Sequence, residues 1–360
     1  MMTSFQRLLS EATRLTLGGN LQAATESIQA ALAGGGKFPA APTTPAAPAA
    51  RDSNVIDVQA RVLKSETAEP AFDAAQSSAS APSQGEFIHG SHCETMGTRS
   101  YKLYIPPVHT EEALPLVVML HGCTQNPDDF AAGTEMNEAA LKRGFYVLYP
   151  AQTPSANPSR CWSWFKHNHQ TRGRGEPAIL AGMTRAMLAR YNIDPQRVYV
   201  AGLSAGGAMA AILGEAYPDI FAAVGVHSGM PTGAASNLPQ ALSAMKLGGV
   251  NAASGQAPPT IVFHGDQDGT VHPSNGAQAA AASAGDARPE LEQARSANGL
   301  NYTRQTYRQA DGRVRAEHWN VHGAGHAWSG GNVQGSYTES RGPSATQEML
   351  RFFLAHKLAD

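Results

Sequence analysis

The stretch RVYVAGLSAGGAMAAILGEAY, residues 197–217, decides how this chain folds. Its first six residues form an apolar, β-branched run without polar alternation, as in a strand buried on both faces. The alanine-rich part that follows predicts a helix over 206–217. Between them Gly202, Leu203, Ser204, Ala205, Gly206 and Gly207 make a GxSxG pattern with an extra glycine. Flanking glycines permit a sharp strand-to-helix turn that lifts the serine hydroxyl over the sheet. The helix amino end beneath it favours developing negative charge. GxSxG is weak alone, and the plainer reading is a glycine turn with an incidental N-cap serine. Its place between a strand and a helix gives it weight.

Working outward, the same unalternating runs recur as LPLVVMLHG (114–122), FYVLYP (145–150), FAAVGVHSG (221–229) and TIVFHG (260–265). Helical spacing of apolar residues predicts helices near 134–143, 175–191, 276–285 and 344–358, and EFIHGSH with RSYKLYIPP reads as a β-hairpin. Strand and helix alternating in this way predict an α/β domain over residues 85–360, a mostly parallel central sheet flanked by helices with right-handed crossovers. Ahead of it, residues 1–33 carry two short helical patterns broken at Gly18-Gly19-Asn20, the signature of a small helical hairpin. Residues 34–84 are rich in Pro, Ala and Ser and read as a mostly disordered linker, with a local element near 54–63. The hairpin reads either as a solubility cap or as a docking element for a partner, a polymer granule or self-association.

Composition removes several classes of function. At 360 residues the length suggests about two domains. Lys+Arg 27 against Asp+Glu 29 gives a net charge of -2, so nothing draws the chain to nucleic acid or anionic membranes. No apolar run approaches the roughly 18 to 20 residues of a membrane span. Three cysteines without a CxxC suggest neither a disulfide scaffold nor structural zinc. His167 and His169 have no acidic partner nearby in sequence, so no metal is expected. The start of the chain shows no secretory signal, which by itself points to the cytoplasm.

In open parallel sheets chemistry collects just past the carboxyl ends of the strands. After TIVFHG come Asp266 and Asp268. A serine hydroxyl needs a base, and the base works best when a carboxylate fixes its tautomer. Asp268 is preferred for that carboxylate, and Asp266 reads as a turn or cap. The base must then be a later histidine: His272, His318, His322, His326 or His356. His326 is preferred because GAGHAWSGG is a glycine-rich loop after the strand-like run VRAEHWNVHG. An oxyanion needs amide donors. LHGCTQ (120–125) offers the Cys123 N–H and the serine turn the Ala205 N–H, although His121-Gly122 also reads as a plain strand-ending turn.

Residues 86–358 resemble the polyhydroxybutyrate depolymerase family of esterases, related to feruloyl and acetylxylan esterases within the α/β-hydrolase fold. The resemblance rests on LHGCTQNPDDFAAGTEMN, YPAQ, NPSRCWSWF, GEPAILAGM, NIDPQRVYVAGLSAGGAMA, YPDIFAAVGVHSG, FHGDQDGTVHP and GAGHAWSGG. It implies carboxylic ester hydrolysis through an acyl-enzyme, with Ser204 as nucleophile, Asp268 as orienting acid, His326 as base, and no cofactor. The implied substrates are short hydroxyalkanoate oligomers, polyesters or small acyl esters. Feruloyl or acetylxylan esters are the alternative, and a non-catalytic granule-binding protein is a remote one. The resemblance also implies an extracellular or periplasmic location, against the cytoplasmic reading above. In an oxidising compartment Cys123 and Cys161 would form a disulfide beside the cleft, leaving Cys93 free; in a reducing one they would be thiols. Trp162 and Trp328, with His121, are expected to contact substrate, ordinary core being the competing reading for the aromatic residues.

Overall fold

The computed structural model describes residues 84–108, 110–249 and 257–358. The hairpin expected at 1–33 and the linker expected at 34–84, up to residue 83, lie outside the described residues.

The described chain opens with an antiparallel pair, β1 (Glu86–Glu94) and β2 (Gly97–Ile105), followed by β3 (Leu114–Leu120). Two short helices, α1 (Pro127–Thr134) and α2 (Met136–Arg143), lead to β4 (Tyr146–Pro150). The serine turn joins β5 (Ile193–Leu203) to α4 (Ala205–Ala216), preceded by α3 (Gly175–Arg190). Then come β6 (Ala223–His227), α5 (Leu238–Leu247), β7 (Thr260–Gly265) and α6 (Ser274–Ala284). The strands β8 (Pro289–Arg295), β9 (Asn301–Arg308) and β10 (Val314–Val321) complete the large sheet. A two-residue pairing of β11 (Trp328–Ser329) with β12 (Thr338–Glu339) precedes the last helix, α7 (Ala345–Leu354).

The ten strands lie in the order β1-β2-β4-β3-β5-β6-β7-β10-β9-β8. The inner six run parallel, and an antiparallel pair flanks each edge. Helices cover both faces, which is why the inner strands carry no polar alternation. Leu116, Val118, Val198 and Val200 point into one core with α3 and α4, while Val117, Met119, Tyr199 and Ala201 point into another with α1, α2 and α7.

Three local readings change. A single helix was expected at 134–143, but Glu135 adopts a left-handed φ of 52° and splits two helices. The first of these starts at Pro127 behind Asn126, whose side chain accepts the Asp128 and Asp129 N–H groups. The hairpin β8–β9 has no apolar alternation to betray it, because β8 is an exposed edge held by cross-strand ion pairs such as Arg308 with Glu290 at 3.1 Å. Between β6 and β7, where the sequence carries no marked periodicity, lies α5, capped by Asn237.

Four histidines are buried among the described residues, His121, His227, His264 and His318. Burial pushes His121 and His318 down to about 4 and His227 well below its ordinary value. An unfolded chain binds protons on these side chains near pH 6.5, while the folded chain keeps His121 and His318 neutral until about pH 4. Their contribution is therefore complete above pH 6.5 and is lost as pH falls through that window, at about 3 kcal/mol each by its lower end. Calorimetry should show a steep fall in Tm between pH 6.5 and 4.5, made shallower by His318→Leu. A Tm independent of pH over this interval would contradict the burial of neutral imidazoles.

Candidate active site

The serine turn is built by close packing. A Cβ on Gly206 would overlap the carbonyl oxygen of Leu120 at the end of β3, and one on Gly202 would overlap the backbone of Gly206. With both positions bare, α4 approaches the sheet so closely that the intervening residue is driven to φ 58°, ψ -119° at Ser204. A non-glycine residue there carries strain of about 1–3 kcal/mol. The Ser204 N–H is held by the His227 carbonyl at 2.8 Å. Ala205 is the first residue of α4, so its N–H has no acceptor within the helix.

Asp268 lies on the loop past β7, its side chain fully buried. Its Oδ1 accepts the Thr270 and Val271 N–H groups at 2.9 and 2.8 Å. Its Oδ2 accepts His326 Nδ1–H at 2.8 Å, with His264 Nε2 at 3.3 Å. Burial opposes the charge, but the hydrogen bonds from His264 and His326, the charge His326 can carry, and the Val271 N–H outweigh it. The carboxyl is held well below the usual range. With Nδ1 engaged, His326 has Nε2 for a partner on its other side.

Ser204 and His326 line one cleft of about 290 Å³, together with Gly122, Cys123, Leu203, Met245, Thr270 and Tyr337. The structure thus brings together, on loops from four strand ends, the residues expected for nucleophile, base, orienting acid and oxyanion donors. The Cys123 N–H has no acceptor among the described residues. Cys123 is joined by a disulfide to Cys161, and Cys93 is free and exposed.

The competing candidates are occupied elsewhere. Asp266 accepts His322 Nδ1–H at 2.9 Å and the Gly323 N–H at 2.7 Å, and Thr303 Oγ1–H donates to His322 Nε2 at 2.9 Å. His272 pairs with Ser274, His318 is buried in β10, and His356 meets the Phe352 carbonyl. None of them lines the cleft.

The expected substrate contacts are corrected. Trp162 is 0% exposed and donates from Nε1 to the His121 carbonyl at 3.1 Å. Trp328 is 1% exposed, stacks on His227 at 5.0 Å and donates to Thr346 Oγ1. His121 is buried as well. These aromatics support the loops from behind. The apolar lining comes instead from Leu203, Met245 and Tyr337, whose hydroxyl lies 3.2 Å from Thr124 Oγ1. Met245 sits on α5 and Tyr337 lies in a polar stretch without periodicity, so neither carries a signal in the sequence. His264 ends the apolar run TIVFHG, whose pattern marks a strand and does not single out the histidine. Among the described residues no cluster of three or more His, Cys, Asp or Glu is placed to hold a metal ion, and no helix is long and apolar enough to cross a membrane.

This fold is that of the α/β-hydrolases, shared with an acetyl xylan esterase from Aspergillus awamori at a TM-score of 0.60 and 21% identity, over 74% of this chain and 99% of that one. The chain belongs to the Esterase PHB depolymerase family, whose model matches residues 99–284. It is similar to poly(3-hydroxyalkanoate) depolymerase C of Paucimonas lemoignei, 31% identical over 59% of this chain and 54% of that protein. It is likewise similar to poly(3-hydroxybutyrate) depolymerase of Ralstonia pickettii, 30% identical over 60% of this chain and 48% of that protein. Feruloyl esterase B of Neurospora crassa is 36% identical over 34% of this chain and 43% of its own length. The chain spans about half the length of the two depolymerases.

With Cys123 and Cys161 bridged, alkylating the unfolded, unreduced protein should modify Cys93 alone, and alkylation after reduction should modify all three cysteines. Mass spectrometry reads the difference. Full alkylation without reductant, in protein isolated under oxidising conditions, would contradict the bridge.

Proposed function

We propose that this chain hydrolyses carboxylic esters through an acyl-enzyme on Ser204. The observation that carries this reading is the single cleft lined by a strained, sheet-end serine and by a histidine whose far nitrogen is tied to a buried, ionised carboxylate. Ser204 Oγ attacks the ester carbonyl carbon while His326 Nε2 takes its proton. The Cys123 and Ala205 N–H groups receive the carbonyl oxygen as it becomes an oxyanion. The tetrahedral adduct collapses as His326 protonates the departing alcohol, and the same histidine then activates water to release the acid. Positioned proton transfer is worth ~10² to 10⁴ in rate, and one oxyanion donor ~10² to 10³.

The cleft lining has no charged side chain apart from whatever charge His326 takes up, which suits an uncharged acyl chain. Together with the two depolymerase relatives this favours short hydroxyalkanoate oligomers, polyesters or small acyl esters. A cleft of about 290 Å³ is at the small end for ligand sites, which also supports a second reading as a feruloyl or acetyl esterase of cell-wall esters. The Cys123–Cys161 bridge fits an oxidising compartment, outside the cell or in the periplasm. The apolar periodicity of residues 1–33 suits docking to a polymer granule or self-association.

Ser204→Ala should lower kcat toward p-nitrophenyl butyrate by ~10³-fold or more while leaving Tm within a few degrees. Undiminished turnover in that variant would reject Ser204 as nucleophile. Comparing 3-hydroxybutyrate dimer and trimer with methyl ferulate and acetylated xylan separates the two substrate readings. The first predicts that the hydroxybutyrate esters have the higher kcat/KM.

A further inference from the structure

We propose that buried Glu176 is a positioning residue that, through Gln152 and His121, aims the Cys123 N–H into the cleft. The inference rests on the ester-hydrolase reading above and adds to it a part of the molecule that does not touch the cleft.

The Gly122 carbonyl and the Cys123 N–H belong to one planar trans peptide and point in opposite directions. Fixing the carbonyl therefore fixes the amide. His121 Nδ1 lies 2.7 Å from the Gly122 carbonyl oxygen, which only accepts, so Nδ1 carries the proton. His121 Nε2 accepts the Gln152 backbone N–H at 3.1 Å, which requires that nitrogen to be bare. The two contacts select one neutral tautomer and one ring orientation. Burial, which pushes His121 down to about 4, agrees with that neutral form.

Gln152 is held in turn at every polar site of its side chain. Its Nε2 donates to Glu176 Oε1 at 2.6 Å and to the Cys161 carbonyl at 3.0 Å. Its Oε1 accepts from Arg99 Nε at 2.9 Å and from the Thr153 N–H at 3.1 Å. Glu176, 3% exposed on the first turn of α3, also accepts the Ser163 N–H at 2.7 Å and pairs with Arg99 at 3.4 Å. Its carboxylate thus grips both segments that flank His121, residues 152–153 and 161–163. The second segment contains Cys161, bonded to Cys123, and Trp162, which holds the His121 carbonyl. Burial opposes the charge of Glu176, but the nearby His169 imidazole, whose Nδ1 lies 3.6 Å away, and the hydrogen bonds from Gln152 and the Ser163 N–H outweigh it. A buried carboxylate with this many donors is costly to place unless they are all satisfied.

Glutamine at position 176 keeps the shape but replaces one acceptor oxygen with a donor, which must then face the Gln152 Nε2–H or the Ser163 N–H. The test measures kcat, KM and Tm for Glu176→Gln with p-nitrophenyl butyrate. It also measures inhibition by phenylboronic acid, which forms a tetrahedral adduct on a nucleophilic serine. The expected result is a kcat lower by roughly 10- to 100-fold with KM within about threefold, and boronate affinity falling by the same factor as kcat/KM. A fall in Tm with kcat and boronate affinity within twofold of the parent would overturn the proposal and leave Glu176 a structural residue. Gln152→Met, which removes the relay's side chain but retains its backbone N–H, should show the same split and carries the test if Glu176→Gln is insoluble. If the unsubstituted protein turns over no ester and takes up no boronate, the hydrolase reading itself fails, a result distinct from either outcome above.

Discussion

The contact of Gly206 with the Leu120 carbonyl fixes the geometry on which the rest of the site depends. Because no side chain separates α4 from the end of β3, the helix begins directly beneath the serine, and Ser204 takes a backbone conformation that only surrounding structure can hold. Gly202 and Gly207 extend the same constraint, a Cβ on Gly207 coming within 2.9 Å of the Gly202 carbonyl oxygen. The strain at one residue is offset by the packing of two elements and by the bond from Ser204 N–H to His227. In return the hydroxyl stands at the sheet end, where β3 delivers the Cys123 amide and β7 and β10 deliver Asp268 and His326.

Those other loops are held by hydrogen-bonded polar groups, Asp268 buried and Asp266 and His322 partly exposed. Asp268 uses both oxygens on four donors, so its position is set before any substrate arrives. Beside it, Asp266 and His322 lace the β7 loop to the β10 loop, and the Gln267 N–H bonds the Ala324 carbonyl at 3.0 Å. Preorganisation of this kind matters because a donor already aimed at developing charge does not have to be reoriented during the reaction. The buried tryptophans belong to the same framework: Trp162 steadies the loop after β3 through the His121 carbonyl, and Trp328 packs behind the His326 loop.

Much of this was legible in the sequence because the signals were local. The runs LPLVVML and TIVFHG have the pattern of strands buried on both faces, and the glycines around Ser204 permit a tight turn. Asp268 and His326 stand out because they follow strand ends in a workable order, and the fold hydrogen-bonds them to each other. What escaped depends on contacts across the fold. Trp162 and Trp328 looked like cleft residues from their Gly-rich or polar neighbours, yet the nearest apolar space was the core. The strands β8 and β9 are exposed and polar, so their pairing leaves no hydrophobic trace. Met245 and Tyr337 reach the cleft from segments with no periodic pattern, and Glu176 sits on α3, whose sequence reads as an ordinary helix start.

The central claim is that Ser204 is a nucleophile activated by His326. Labelling the native protein with a fluorophosphonate and mapping the modified peptide tests it most directly. The account predicts a single adduct on Ser204, lost or greatly slowed in His326→Ala. An adduct on a different residue, or ester turnover that persists with Ser204 fully labelled, would contradict it.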